Sequence, residues 1–127
     1  MVGRVAQRQR EMETGVDTGL LTALTALADP VRLRIVRMLC EREQCVCHLT
    51  EALGLSQGTV SHHMGLLKRA GLVNDRRDPD DSRWTYYSLD EASVSRFLAS
   101  IRVSLDTSHM DPTPASCRGR PEHRSVD

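Results

Sequence analysis

The stretch from Val46 to Gly71 most constrains what this chain can fold into. Val46, Leu49 and Leu53 give a short apolar helical face that Gly54 stops. Ser56 then caps a longer helix running through Ala70, with Val60, Met64 and Leu67 facing inward and Gly71 closing it. Two helices joined by a glycine-containing turn, the second longer and polar on its outer face, form a helix-turn-helix pattern. Downstream, residues 72–77 and 83–89 are strand-like and flank the turn-forming run Asp78-Pro79-Asp80-Asp81-Ser82, so the spacing predicts a β-hairpin wing.

The flanking segments read as further helices. Leu20, Leu21, Leu24 and Leu27 recur at helical spacing and predict a first helix starting at Asp17 or Thr18 and ending near Ala28. Asp29 before Pro30 is an N-cap followed by proline at the first helical position, and Val31, Leu33, Ile35, Val36 and Leu39 carry a second helix to about Cys40. Residues 41–44 are a connection. Asp90 caps a last helix in which Val94, Phe97, Leu98, Ile101 and Leu105 leave a broad apolar stripe that must pack against something. With only Trp84, Tyr86, Tyr87 and Phe97 as aromatics, the core must be aliphatic, which points the same way. The expected fold is mainly α with a β-hairpin wing, a winged helix-turn-helix. The expected organisation is a flexible N-terminal arm over 1–16, a DNA-binding and dimerisation domain over 17–108, and a disordered tail over 109–127.

A chain of 127 residues has room for one such domain and not for a multidomain enzyme. Its longest apolar run, Leu20 to Ala28, is far shorter than the ~18 to 20 residues that span a bilayer, and the arginine-bearing N-terminus has no apolar signal core, so the expected location is the cytoplasm. Seventeen basic and seventeen acidic residues cancel, and a basic surface must come from local segregation. That segregation exists. The segment 56–69 holds His62, His63, Lys68 and Arg69 and not one carboxylate. On a helix, Gly58, Ser61, His62, Gly65 and Arg69 point away from Val60, Met64 and Leu67, with Gln57 and Thr59 on the flanks. Such small polar groups can approach base edges, and a glutamine can bond adenine bidentately. Arg76, Arg77 and Arg83 are placed to clamp phosphates from the wing, against a local excess of Asp75, Asp78, Asp80 and Asp81.

The blocks 26–35 (ALADPVRLRI), 55–64 (LSQGTVSHHM), 70–73 (AGLV) and 86–89 (YYSL) occur in order and resemble the ArsR/SmtB family of bacterial winged-helix metalloregulators over roughly 20–89. The resemblance implies a homodimer on double-stranded operator DNA, released when a metal or metalloid binds. It implies recognition contacts from Ser56, Gln57, Thr59, Ser61, His62 and His63, although His63 borders the apolar face and also suits a satisfied, half-buried imidazole; Lys68, Arg77 and Arg83 join them from the charge pattern, not from the resemblance. Gly58 stands where the family often has proline. A dimer also follows from size, since about ninety ordered residues bury only ~60% of their unfolded surface and the terminal helices have apolar faces to cover.

Cys45-Val46-Cys47 lies at the mouth of the first helix of the pair. In a formed helix residues two apart point ~200° from one another, so one ion can bridge both sulfurs only if this turn is unwound or sits just before regular helix. A helix N-terminus favours thiolate, while Glu41 and Glu43 act the other way. Thiolates select As(III), Sb(III), Cd(II), Pb(II) or Zn(II) over Mg(II) or Ca(II), and a three-sulfur site suits trivalent arsenic. Residues 43–49 resemble family members with an arsenic site in this helix, in which Cys45 and Cys47 match two ligands; the usual third cysteine is here Thr50. Cys40 and Cys117 are the remaining sulfurs, and His48 is adjacent. The family's zinc site on the last helix is not expected, because Asp106 and His109 lack the spaced second histidine and acidic partner.

The expected function is a transcriptional repressor induced by As(III) or Sb(III), with no organic cofactor, no membrane partner and no enzymatic activity. The alternatives keep the fold and make it Cd(II)/Pb(II)/Zn(II)-responsive, or make the thiols a redox switch in which Cys40 or Cys117 joins Cys45 or Cys47. A small thiol enzyme lacks a Cys-x-x-Cys or a phosphate-cradling loop. A winged helix that only docks proteins predicts no salt-dependent affinity for duplex DNA.

Overall fold

The computed structural model describes residues 18–116. The expected arm over 1–16, Asp17 and the end of the expected tail, including Cys117, lie outside the described residues. The elements run α1 (Thr18–Leu27), α2 (Pro30–Glu41), β1 (Gln44–Cys45), α3 (Val46–Leu53), α4 (Gln57–Arg69), β2 (Val73–Arg77), β3 (Thr85–Leu89) and α5 (Glu91–Ser104). Residues 109–116 hold only turns and bends. No helix among the described residues is long and apolar enough to cross a membrane.

The helix boundaries follow their caps. Asp29 accepts the N–H groups of Val31 (2.9 Å) and Arg32 (3.1 Å), and Pro30 occupies the first helical position. Ser56 Oγ accepts the N–H of Thr59 at the start of α4, and Asp90 accepts that of Ser93 at the start of α5. Gly54 (φ 66°) ends α3 in the left-handed conformation, and Gly71 (φ 78°) turns the chain out of α4 into β2.

The core sits where α2, α3 and α4 meet, around the enclosed Ile35, Leu49, Val60, Met64 and Leu67, with Leu72 and Val73 from the entry to the wing. α1 joins it by Leu20, Ala23 and Ala26, and its Leu21 and Leu24 are exposed. The leucine spacing alone put all four leucines on one face. The alanines, which let helices approach closely, turn that face away from Leu21 and Leu24. α5 has no fully buried residue.

The connection expected over 41–44 is instead partly a strand. Gln44 and Cys45 pair antiparallel with Tyr87 and Tyr86, which makes the hairpin a three-stranded sheet of order β1-β3-β2. Two residues show no period, so no alternation could announce them. Buried Gln44 is satisfied by donating from Nε2 to the Met38 carbonyl (3.2 Å).

Candidate nucleic-acid interface and thiol site

α4 presents Gln57, Thr59, Ser61, His62, Lys68 and Arg69 to solvent while Val60, Met64 and Leu67 are buried, so the polar face is one continuous surface. Ser56 is partly spent as the cap, and its hydroxyl also donates to Thr59 Oγ1 (2.9 Å). His63 is set apart. It is half-buried, and its Nδ1 accepts from Arg32 Nη1 (3.2 Å), because a guanidinium has no acceptor to offer. Arg32 also donates from Nε to the Ala26 carbonyl (2.7 Å), so one side chain ties α1, α2 and α4 together. The Nδ1 bond therefore ties His63 of α4 to Arg32 of α2.

The cations around α4 differ in their commitments. Lys68 pairs with Asp75 of β2 (2.8 Å), a hydrogen bond that raises the lysine's pKa. Arg83 is held by Asp81 (2.7 Å), whose carboxyl the guanidinium keeps below the usual range. Arg76 grips Glu43 bidentately and lies 4.6 Å over the Tyr86 ring. The Arg77 side chain has no ion pair or hydrogen bond among the described residues and remains exposed. The acidic excess of the wing is thus largely internal: Asp75 and Asp81 are paired, and Asp78 receives the N–H groups of Asp80 (2.8 Å) and Asp81 (3.2 Å).

At the thiol pair the backbone resolves the geometric condition set by the sequence. Cys45 is extended (φ −79°, ψ 155°) and is the N-cap of α3; Cys47 lies in its first turn. Their Cα atoms are 5.4 Å apart and their sulfurs are bonded to each other, with α3 intact. The pair straddles the helix start, with Cys45 before it and Cys47 within it. Cys45 Sγ accepts the N–H of His48 (3.3 Å), which places the sulfur at the positive end of the helix. Glu43 does not oppose it as a free charge, because Arg76 neutralises it and holds its carboxyl below the usual range. Cys40 is exposed near the end of α2, and no group of three potential ligands is assembled among the described residues.

Residues 29–75 match the family described as bacterial regulatory protein, arsR family. The arsenical resistance operon repressor of Bacillus subtilis strain 168 is 37% identical over 75 residues, which are 58% of this chain and 69% of that repressor. The chain belongs to the ArsR family. The cadmium resistance regulator CadC homolog of Staphylococcus aureus is 36% identical over 74 residues, covering 58% of this chain and 59% of that protein. Among solved structures, the homodimeric winged helix-turn-helix DNA-binding domain Mb0332 of Mycobacterium bovis aligns at 30% identity with a TM-score of 0.56, over 70% of this chain and 80% of that one. Like the rest of the ArsR family, the chain is a DNA-binding winged-helix transcriptional regulator and not an enzyme.

Two features of this ArsR-family chain escaped the sequence reading. The Arg32–His63 bond joins residues 31 apart, and the Arg76–Glu43 pair joins residues 33 apart. Neither has a local signal, and the acids of the wing do not point to either, since Arg76 finds its carboxylate outside the wing at Glu43.

Proposed function

We infer that the chain is a homodimeric repressor that occupies operator DNA when inducer-free and leaves it when As(III) or Sb(III) binds the thiolates of Cys45 and Cys47. The observation that carries this reading is the convergence of those two sulfurs at the N-cap of α3, the helix that supports α4. A soft donor pair fits a thiophilic ion. When bound, the ion supplies strong sulfur ligation that competes for the lone pair Cys45 lends to His48 N–H. Losing an N-cap costs α3 about 0.5–2 kcal/mol, whereas a hundredfold drop in DNA affinity needs ~2.7 kcal/mol. The pair alone falls short. A third sulfur, from Cys40 or Cys117, supplies the rest by drawing a second segment onto the start of α3.

DNA is read by Gln57, Thr59, Ser61 and His62, with Ser56 at the cap, His63 positioning the helix, and Lys68, Arg77 and Arg83 toward phosphates. The exposed Leu21, Leu24, Leu98, Val103 and Leu105 supply the dimer face, which sets two recognition helices ~34 Å apart. The test is affinity for the duplex upstream of the chain's own gene, with and without arsenite. The parent should lose about a hundredfold and Cys45→Ser or Cys47→Ser less than threefold. Equal release of parent and variants rejects the site.

A second reading is favoured by the sulfur–sulfur bond itself: Cys45 and Cys47 form a reversible disulfide, with peroxide reduced to water as the two thiols are oxidised. This pairing differs from the Cys40 or Cys117 partnership expected from sequence. Release by peroxide with indifference to arsenite selects it.

A further inference from the structure

The thiol pair touches the wing as well as the helix-turn-helix. Cys45 is the end of β1 and lies opposite Tyr86 of β3, and Tyr86 lies opposite Arg76 of β2. Arg76 in turn reaches back across the sheet to Glu43, two residues before Cys45, with Nε to Oε2 at 2.9 Å and Nη2 to Oε1 at 2.6 Å. Its guanidinium lies over the Tyr86 ring, and Tyr86 donates its hydroxyl to Asp78 Oδ2 (3.4 Å) at the base of the wing turn. The circuit therefore runs Cys45, Tyr86, Arg76 and Glu43, with a branch through Asp78 into the wing tip.

Resting on the reading of Cys45 and Cys47 as the inducer site, we propose that Glu43 and Arg76 are positioning residues that carry the state of that pair to the wing. An exposed ion pair is usually weak, but this one has the two features that give such pairs weight: bidentate geometry and a cation stacked on an aromatic ring. Arg76 is not a spare phosphate clamp. A shift of Cys45 that pulls Gln44 and Cys45 from Tyr87 and Tyr86 also withdraws Glu43, and the wing loses its attachment to the rest of the sheet.

The chain contains its own reporter. Trp84, the single tryptophan, sits in the wing loop, its N–H donating to the Asp81 carbonyl (3.0 Å) and its carbonyl accepting from Asp78 N–H (2.9 Å). Its emission is measured on the reduced full-length chain as arsenite is added, while free thiols are counted, for the parent, Glu43→Gln, Arg76→Met and the charge-swapped Glu43→Arg/Arg76→Glu double variant. The parent should lose two or more thiols and shift its emission. Glu43→Gln and Arg76→Met should lose the same thiols with under a third of the shift, and the double variant should regain it. Thiols captured without a shift in the parent, or an undiminished shift in both single variants, overturns the proposal. If arsenite leaves the parent's thiols free, the arsenite reading fails; the same series with Cd(II) then decides the relay, and emission unmoved by Cd(II) overturns it.

Discussion

α4 and α5 are nearly the same length, 13 and 14 residues, and both carry apolar side chains at helical spacing. Their fates differ. α4 encloses Val60, Met64 and Leu67, whereas α5 leaves Leu98 58% and Val103 78% exposed, with Leu105 at its C-cap 71% exposed. The difference shows that a periodic stripe states only that a helix has something to hide, not where. α4 hides it within its own subunit, which frees its other face for DNA; α5 lays Val94 and Phe97 on the core and leaves Leu98, Val103 and the adjoining Leu105 outside, where a second copy covers them in the proposed dimer.

Four measurements break or sharpen that contrast. Truncating Leu67 to alanine should cost about 2–5 kcal/mol in urea unfolding, the range for an enclosed leucine. Replacing Gln57 by alanine should leave unfolding unchanged and weaken operator binding by about 1–3 kcal/mol, as expected for loss of a base contact. The mutation Leu98→Ala should cost less than about 1 kcal/mol in dilute solution yet raise the dimer dissociation constant several-fold by sedimentation. A cost equal to that of Leu67→Ala, independent of concentration, would mean that the stripe of α5 is packed within one subunit after all. The smallest effect concerns the end of α4. Lys68 is the chain's only lysine and its pKa is raised by Asp75, so the tie between α4 and β2 is complete below the ordinary lysine value and is lost as pH climbs through the raised one. The Lys68 side-chain NMR signal should titrate later in the parent than in Asp75→Asn, with α5 signals unmoved.

Much of the architecture was legible because it is written locally. Asp29-Pro30, Gly54, Ser56, Gly71 and Asp90 each act within one turn of themselves, and the helix bounds follow them. The polar face of α4 was legible for the same reason. β1 was not, since a two-residue strand is defined by its partners Tyr86 and Tyr87 some forty residues away. The partners of His63 and Arg76 were hidden likewise: His63's place beside the apolar face allowed a half-buried imidazole and Arg76's type suggested a phosphate contact, but only tertiary placement brings Arg32 and Glu43 to them. The face of α1 misled because alanine packs as closely as leucine and announces itself less.

The pairing of cations at the end of α4 and in the wing bears on affinity for duplex DNA. Binding that does not depend on sequence draws on unpaired positive charge, and in the proposed complex Lys68 and Arg83 must leave Asp75 and Asp81 before they reach phosphates, so each contributes less than a free cation would. A regulator built this way would gain less from arbitrary duplex than its count of arginines suggests, and its preference for one operator would rest more heavily on the bases facing α4.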